Sequence, residues 1–123
     1  MKILVTGSRN WTDQELIRTA LDQFRCRDEQ ILLIHGNARG ADRIAARIGT
    51  EWGWWIESHP ADWEFFGDQA GPIRNQEMVD RQPDIVLAFP QPGSVGTWDC
   101  VQRARQQGIV IQVWKGDDFE DLS

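Results

Sequence analysis

A chain of 123 residues suits one domain built on one core, because domains cluster at roughly 100–150 residues. Its 13 basic and 19 acidic residues leave a formal charge of -6, which disfavours nonspecific binding to a phosphate backbone unless the basic groups gather on one face. Cys26 and Cys100 form no CxxC pair, which argues against a zinc ribbon or a disulfide framework and fits reduced thiols in the cytoplasm.

The segment MKILVTGSRN carries one lysine and a short apolar run, unlike a secretory leader or a membrane span, so the domain is expected to begin at Met1. Lys2–Thr6 is uniformly apolar enough for a central strand covered on both faces. Thr12 offers an N-cap for a helix in which Leu16, Ile17, Ala20, Leu21 and Phe24 recur at helical spacing up to Cys26. Ile31–His35 is the second strand, and Ala41–Thr50 the next helix, with Ile44, Ala45 and Ile48 facing inward and Gly53 marking its end. Trp54–Ser58 is the third strand. His59–Gly71 has no useful periodicity, and its length is that of a functional loop. Pro72 suits the first turn of a helix running to Gln82, and Asp84–Phe89 is the fourth strand. A helix over Thr97–Gln107, stopped by Gly108, leads into the fifth strand, Ile109–Trp114; the acidic segment Gly116–Ser123 is expected to fray. Short apolar runs alternating with helices predict βα units on a mainly parallel, five-stranded sheet, with the domain over residues 1–115 and a tail over 116–123. Most of the seven tryptophans are expected in core or interface packing, because indole buries so much area.

Ligands of such sheets bind outside the carboxyl ends of the strands, where strand order reverses. The segments leaving those ends are Gly7-Ser8-Arg9, Gly36 to Asp42, His59 to Trp63, and Pro92 to Asp99. Glycine permits close backbone approach and a helix start carries partial positive charge, so Gly93-Ser94-Val95-Gly96-Thr97 reads as a phosphate cradle, with hydroxyls from Ser94 and Thr97. Arg9, Arg39 and Arg74 would bring charge to the same rim, and a phosphate ligand could bring Mg²⁺ with it. Asp42 either supports its turn through backbone N–H groups or meets the ligand. His35 reads as a satisfied buried histidine. Trp63 and Trp98 are the tryptophans nearest the predicted cleft, with stacking on a base weighed against core packing. The P-loop pattern, the GxGxxG fingerprint, the G-x-S-x-G elbow and metal-ligand spacings are absent from the sequence.

VTGSRNW (5–11), HGNARGAD (35–42), HPADW (59–63), AGPIRNQEM (70–78) and PGSVGTWD (92–99) together resemble the SLOG superfamily of Rossmann-like domains, in particular the small branch named after YspA and YpsA. The resemblance covers most of the chain in order. It implies a three-layer α/β sandwich and a nucleotide-like ligand over the glycine loop, with Gly7, Ser8, Arg9, Gly36, Arg39, Gly40, Asp42 and Gly93 to Thr97 (Gly93, Ser94, Val95, Gly96, Thr97) as binding residues. Relatives include the LOG phosphoribohydrolases and the DNA-binding DprA proteins, and they commonly pair through helices, so a homo-oligomer is implied. LOG enzymes carry PGGxGTxxE and RKxxM motifs, whose glutamate and arginine serve catalysis. Here Arg74 and Met78 match the second, and Pro92, Gly93, Gly96 and Thr97 the first. Ser94 replaces a glycine, however, and Cys100 stands at the glutamate position, with Asp99 one residue earlier and so rotated by about 100° on the helix. The primary expectation is a nucleotide-binding module. The alternatives are an N-glycosidic hydrolase using Arg74 with Asp99 or Glu77, and a nucleic-acid or protein-interaction domain, which the acidic balance disfavours.

Overall fold

The computed structural model describes residues 1–25 and 29–115, together with the backbone of 119–121. In chain order the elements are β1 (Lys2–Gly7), α1 (Gln14–Asp22), β2 (Leu32–His35), α2 (Ala41–Glu51), β3 (Trp55–Ser58), α3 (Trp63–Phe66) and a 3₁₀ turn (Gly67–Gln69). Then follow α4 (Ala70–Asp80), β4 (Ile85–Phe89), α5 (Val95–Gln106), β5 (Val110–Trp114) and β6 (Phe119–Asp121). The strands form one sheet in the order β3-β2-β1-β4-β5-β6. The first five are parallel, with Leu4 opposite Ile34 and Val86, and β6 adds antiparallel to β5.

Side chains alternate across a strand, so β1 feeds two cores: Ile3 and Val5 pack with Leu87 and Phe89 under α1 and α2, while Leu4 packs with Val86, Ala88 and Ile111 under α4 and α5. Covering on both faces is why β1 and β4 read as unbroken apolar runs, and every residue of β4 is buried. This is the three-layer α/β sandwich the sequence predicts. The chain leaves β1 toward β2 and β3, then returns past β1 to β4 and β5, so strand order reverses between β1 and β4. The crevice above their carboxyl ends is where the βα loops converge.

Several boundaries differ from expectation. Asp13, not Thr12, caps α1, its carboxylate accepting from Leu16 N at 3.1 Å. α1 ends at Asp22, and the expected end at Cys26 lies outside the described residues. The aperiodic loop holds α3, capped by Asp62, which accepts from Phe65 N at 3.1 Å. α4 begins two residues before Pro72, which the first turn tolerates because its N–H groups need no intrahelical partner. Gln82 lies beyond the end of α4, with φ of 55° in the turn toward β4. α5 starts at Val95 rather than Thr97. Phe119–Asp121, expected to fray, pairs with the otherwise open edge of β5, while 116–118 and 122–123 lie outside the described residues. The tryptophans divide: Trp11 and Trp114 are buried, but Trp55, Trp63 and Trp98 are 67%, 57% and 39% exposed, against the expectation of core packing for Trp63 and Trp98. Among the described residues no helix is long and apolar enough to cross a membrane.

Candidate functional site

The loops after β1 and β2 are packed on each other. A Cβ on Gly7 would lie 2.5 Å from the Ala41 Cβ, and one on Gly40, where φ is 75°, would lie 2.4 Å from Ser8 O. These two glycines therefore serve close approach of chain to chain. Ser8 is buried in the same contact: its N–H donates to Phe89 O at 2.9 Å, its carbonyl accepts from Ala41 N at 3.2 Å, and its Oγ accepts from Asn10 N at 3.0 Å. Asp42, also buried, folds the β2–α2 loop over itself by accepting from Gly36 N at 2.9 Å and Ala38 N at 3.4 Å. Its Oδ1 has no hydrogen-bond partner among the described residues. Burial pushes the carboxyl up to about 6, although the two N–H groups and the Arg74 and Arg43 charges oppose the shift. The turn-supporting role is thus the one the geometry displays.

From the other half, Arg74 of α4 reaches across the crevice, donating through Nη1 to Gly36 O and through Nε to Asn75 Oδ1 at 3.0 Å. A Cβ on Gly36 would meet that guanidinium, so Gly36 makes room for Arg74. Asn75 Nδ2 donates to Gly96 O at 3.2 Å and to Asp99 Oδ2 at 2.9 Å, and Arg103 Nε donates to the same Oδ2 at 2.9 Å. Burial works against the charge on Asp99, but Arg103 and Asn75 outweigh it and hold the carboxyl below its ordinary range. Cys100, at the position of the LOG glutamate, is fully buried, and burial pushes its thiol up to about 12. Glu77 stands apart from this network. It is exposed and lies 3.7 Å from His59 Nδ1, whose other nitrogen is 2.7 Å from Glu57; Glu57 in turn holds Arg81 at 2.7 and 2.9 Å. Of the three catalytic candidates, Arg74 and Asp99 share one chain of hydrogen bonds through Asn75, and Glu77 does not join it.

The start of α5, like those of α2 and α4, has no side-chain cap. Asp13 and Asp62 cap α1 and α3, but no side chain caps α5: the Ser94 hydroxyl turns back to accept from Gln91 N at 2.9 Å. Val95 N–H bonds Gly93 O at 2.8 Å, and among the described residues neither a loop carbonyl nor a side chain caps the N–H groups of Gly96 and Thr97. Among the described residues, leaving aside chain neighbours and the helix's own backbone, nothing lies within 4 Å of where a Cβ on Gly93 or Gly96 would stand. Gly93 needs glycine for its φ of 84°, whereas Gly96 has no positive φ and no neighbour to avoid. Thr97 is buried, Val95 is exposed, and Arg9 and Arg39 are exposed with no ion pair among the described residues. Beside the loop lies a cavity of about 470 Å³ lined by Trp11, Pro90, Gln91, Pro92, Trp98 and Lys115, with Lys115 Nζ 5.3 Å from the Trp98 ring centroid. Sequence reasoning missed Asn75 and Lys115. The Asp99–Arg103 pair was visible as an i,i+4 spacing, but nothing in the sequence marks Asn75 as the clamp between α4 and α5.

Strand order and the converging loops make this a Rossmann-like α/β domain. The chain belongs to the YAcAr family, the YspA, cpYpsA-related SLOG family, whose model matches residues 1–66. The PGSVGT loop lies beyond the matched residues. The Gene 61 protein of Mycobacterium phage D29 is 41% identical over 120 residues, spanning 89% of this chain and 93% of that protein. The X-ray structure of DNA processing protein A (DprA) from Streptococcus pneumoniae superposes with a TM-score of 0.75 at 16% identity, over 94% of this chain and 50% of that chain. That likeness is one of fold, and this chain spans half the length of that DprA.

Proposed function

We propose that this domain, residues 1–115, binds a nucleotide or nucleotide-derived ligand at the carboxyl edge of its sheet, with a phosphate on the start of α5. The observation that carries the reading is the uncapped N-terminus of α5 beneath open space at Gly93 and Gly96. Helix-start N–H groups attract anions, and a helical glycine that no part of the chain requires is accounted for by something outside the chain coming close. Arg9 and Arg39, exposed on the neighbouring loop ends with no ion pair among the described residues, supply charge; Arg74 is spent on Gly36 and Asn75 and acts by holding the loop. A magnesium ion accompanying the phosphate would be held by the ligand and water, since no group of three His, Cys, Asp or Glu among the described residues could hold a metal.

Binding without turnover fits the site better than base excision of the LOG type. Asp99 is held by two donors, and the glutamate position is a buried thiol. The formal charge of -6 weighs against the DNA role that the name of DprA raises, and the exposed Trp55, Trp63 and Phe65 favour self-association, checked by sedimentation. The test of the main reading is thermal unfolding with nucleoside monophosphates and cyclic nucleotides: a bound ligand raises the midpoint in step with its concentration. A midpoint unmoved by every phosphate compound overturns it.

A further inference from the structure

We infer that the cavity beside the PGSVGT loop is a ring slot, in which Trp98 stacks on the heteroaromatic base of the ligand; this rests on the phosphate reading above and names the ligand class as base-bearing rather than a plain sugar phosphate. At about 470 Å³ the cavity falls within the roughly 300–1,000 Å³ of small-molecule sites. Its back wall is fixed before any ligand arrives. Trp11 is buried, its Nε1 donates to Asp13 O at 2.8 Å, and its ring meets Phe89 edge-on at 5.5 Å between centroids. Pro90, buried, and Pro92, exposed, add rigid apolar rings to the lining.

The front wall is Trp98, 39% exposed in the first turn of α5, where burial in the core would have been the ordinary use of so large a side chain. It stems from three residues beyond Val95, about 4.5 Å along the helix axis, so an anion on the helix start and a ring on the indole fit within one nucleotide. Stacking tolerates any base, because every base has a π-face. Two polar groups meet the edge of a stacked ring. The side-chain amide of Gln91 has no hydrogen-bond partner among the described residues and offers both donor and acceptor. The ammonium of Lys115 lies over the indole in the free protein and, on its flexible stem, yields that face to a ring and meets a carbonyl or ring nitrogen at its edge. A bare sugar phosphate would use neither the indole nor the amide.

The experiment is titration calorimetry with ribose 5-phosphate, the four nucleoside monophosphates and the four nucleosides, against the native protein, Trp98→Ala and Trp98→Phe, each variant's fold checked by its melting curve. The slot predicts that at least one monophosphate binds more tightly than ribose 5-phosphate. Trp98→Ala should weaken that monophosphate by about 5- to 150-fold, the usual value of one stacked base, and leave ribose 5-phosphate unchanged; Trp98→Phe should keep most of the preference. Monophosphates no tighter than ribose 5-phosphate, or a preference that survives Trp98→Ala, overturn the slot while the phosphate reading stands. Nucleosides binding through Trp98 as tightly as their monophosphates support the slot and remove the phosphate reading. If none of the compounds binds, both are wrong.

Discussion

His35 and Asp42 pull the stability of the fold in opposite directions over nearly the same pH range. His35 closes β2, and its Nδ1 accepts from Asn37 N at 2.9 Å, which requires that nitrogen to be unprotonated. Burial, with repulsion from His59, Arg43 and Arg74, brings its pKa from 6.5 to about 4. As pH drops below 6.5 the unfolded chain takes up a proton that the native ring refuses until about 4, so stability falls. Asp42 is the reverse. Burial raises its pKa from 3.8 to about 6, so below 6 the native carboxyl takes its proton before the unfolded one and stability rises. One proton of difference is worth about 1.4 kcal/mol per pH unit. Glu57, held by Arg81 and brought down to about 2, adds its own dependence only below its ordinary 4.5, so the clean window is pH 4.5 to 6.5. There the native protein is expected to be nearly flat. Asp42→Asn, which keeps one acceptor oxygen for the loop, leaves His35 alone and should gain about 2–3 kcal/mol as pH rises through the window. His35→Gln leaves Asp42 alone and should lose about 2 kcal/mol between pH 4.5 and 6. Urea midpoints at half-unit pH steps measure this. Slopes of the same sign in the two variants would refute the reasoning, whatever their size.

Gly96→Ala should raise the stability of the free chain by about 0.5–1 kcal/mol, because the position is helical and open, and should weaken phosphate compounds in the same preparation. Unchanged affinity shows that nothing comes close to that Cα. Asn75→Ala strips Asp99 and Gly96 O of a donor and Arg74 of an acceptor at a site 3% exposed; a loss of about 1–3 kcal/mol in chemical unfolding is expected. In a Cys26→Ser background the remaining thiol, Cys100, should resist Ellman's reagent at pH 8 in the native state and react fully in denaturant, since burial holds it up at about 12. Rapid native labelling would mean that α5 opens.

The fold was legible where one physical demand dominated. β1 and β4 need apolar residues on both faces, and a run such as DIVLAF satisfies nothing else. Boundaries were less legible wherever neighbouring residues could meet the same local need. Thr12 and Asp13 are both competent caps, and only the aim of the Asp13 carboxylate at Leu16 N decides between them. β6 left no trace, because three residues of an acidic segment have little strand preference of their own and owe their conformation to the open edge of β5. The same holds for Asn75: its role is set by α5 lying against α4, a tertiary fact that no spacing along the chain encodes.

Glycines at the carboxyl edge looked alike in the sequence, all following strands, yet the structure sorts them by what they face. Gly7 and Gly40 face neighbouring backbone and a methyl group, and Gly36 faces the Arg74 guanidinium, so each is explained inside the chain. Gly93 is explained by its positive φ. Gly96 is left over. In the first turn of α5 an alanine would fit the backbone and meet nothing, and it would favour the helix, so the free chain on its own is better served by the other residue. A position that forgoes available stability is the mark expected of a constraint applied from outside the chain. At Gly96 the open Cβ position coincides with a helix start that has no side-chain cap, and the proposed phosphate site rests on that pairing rather than on the motif around it.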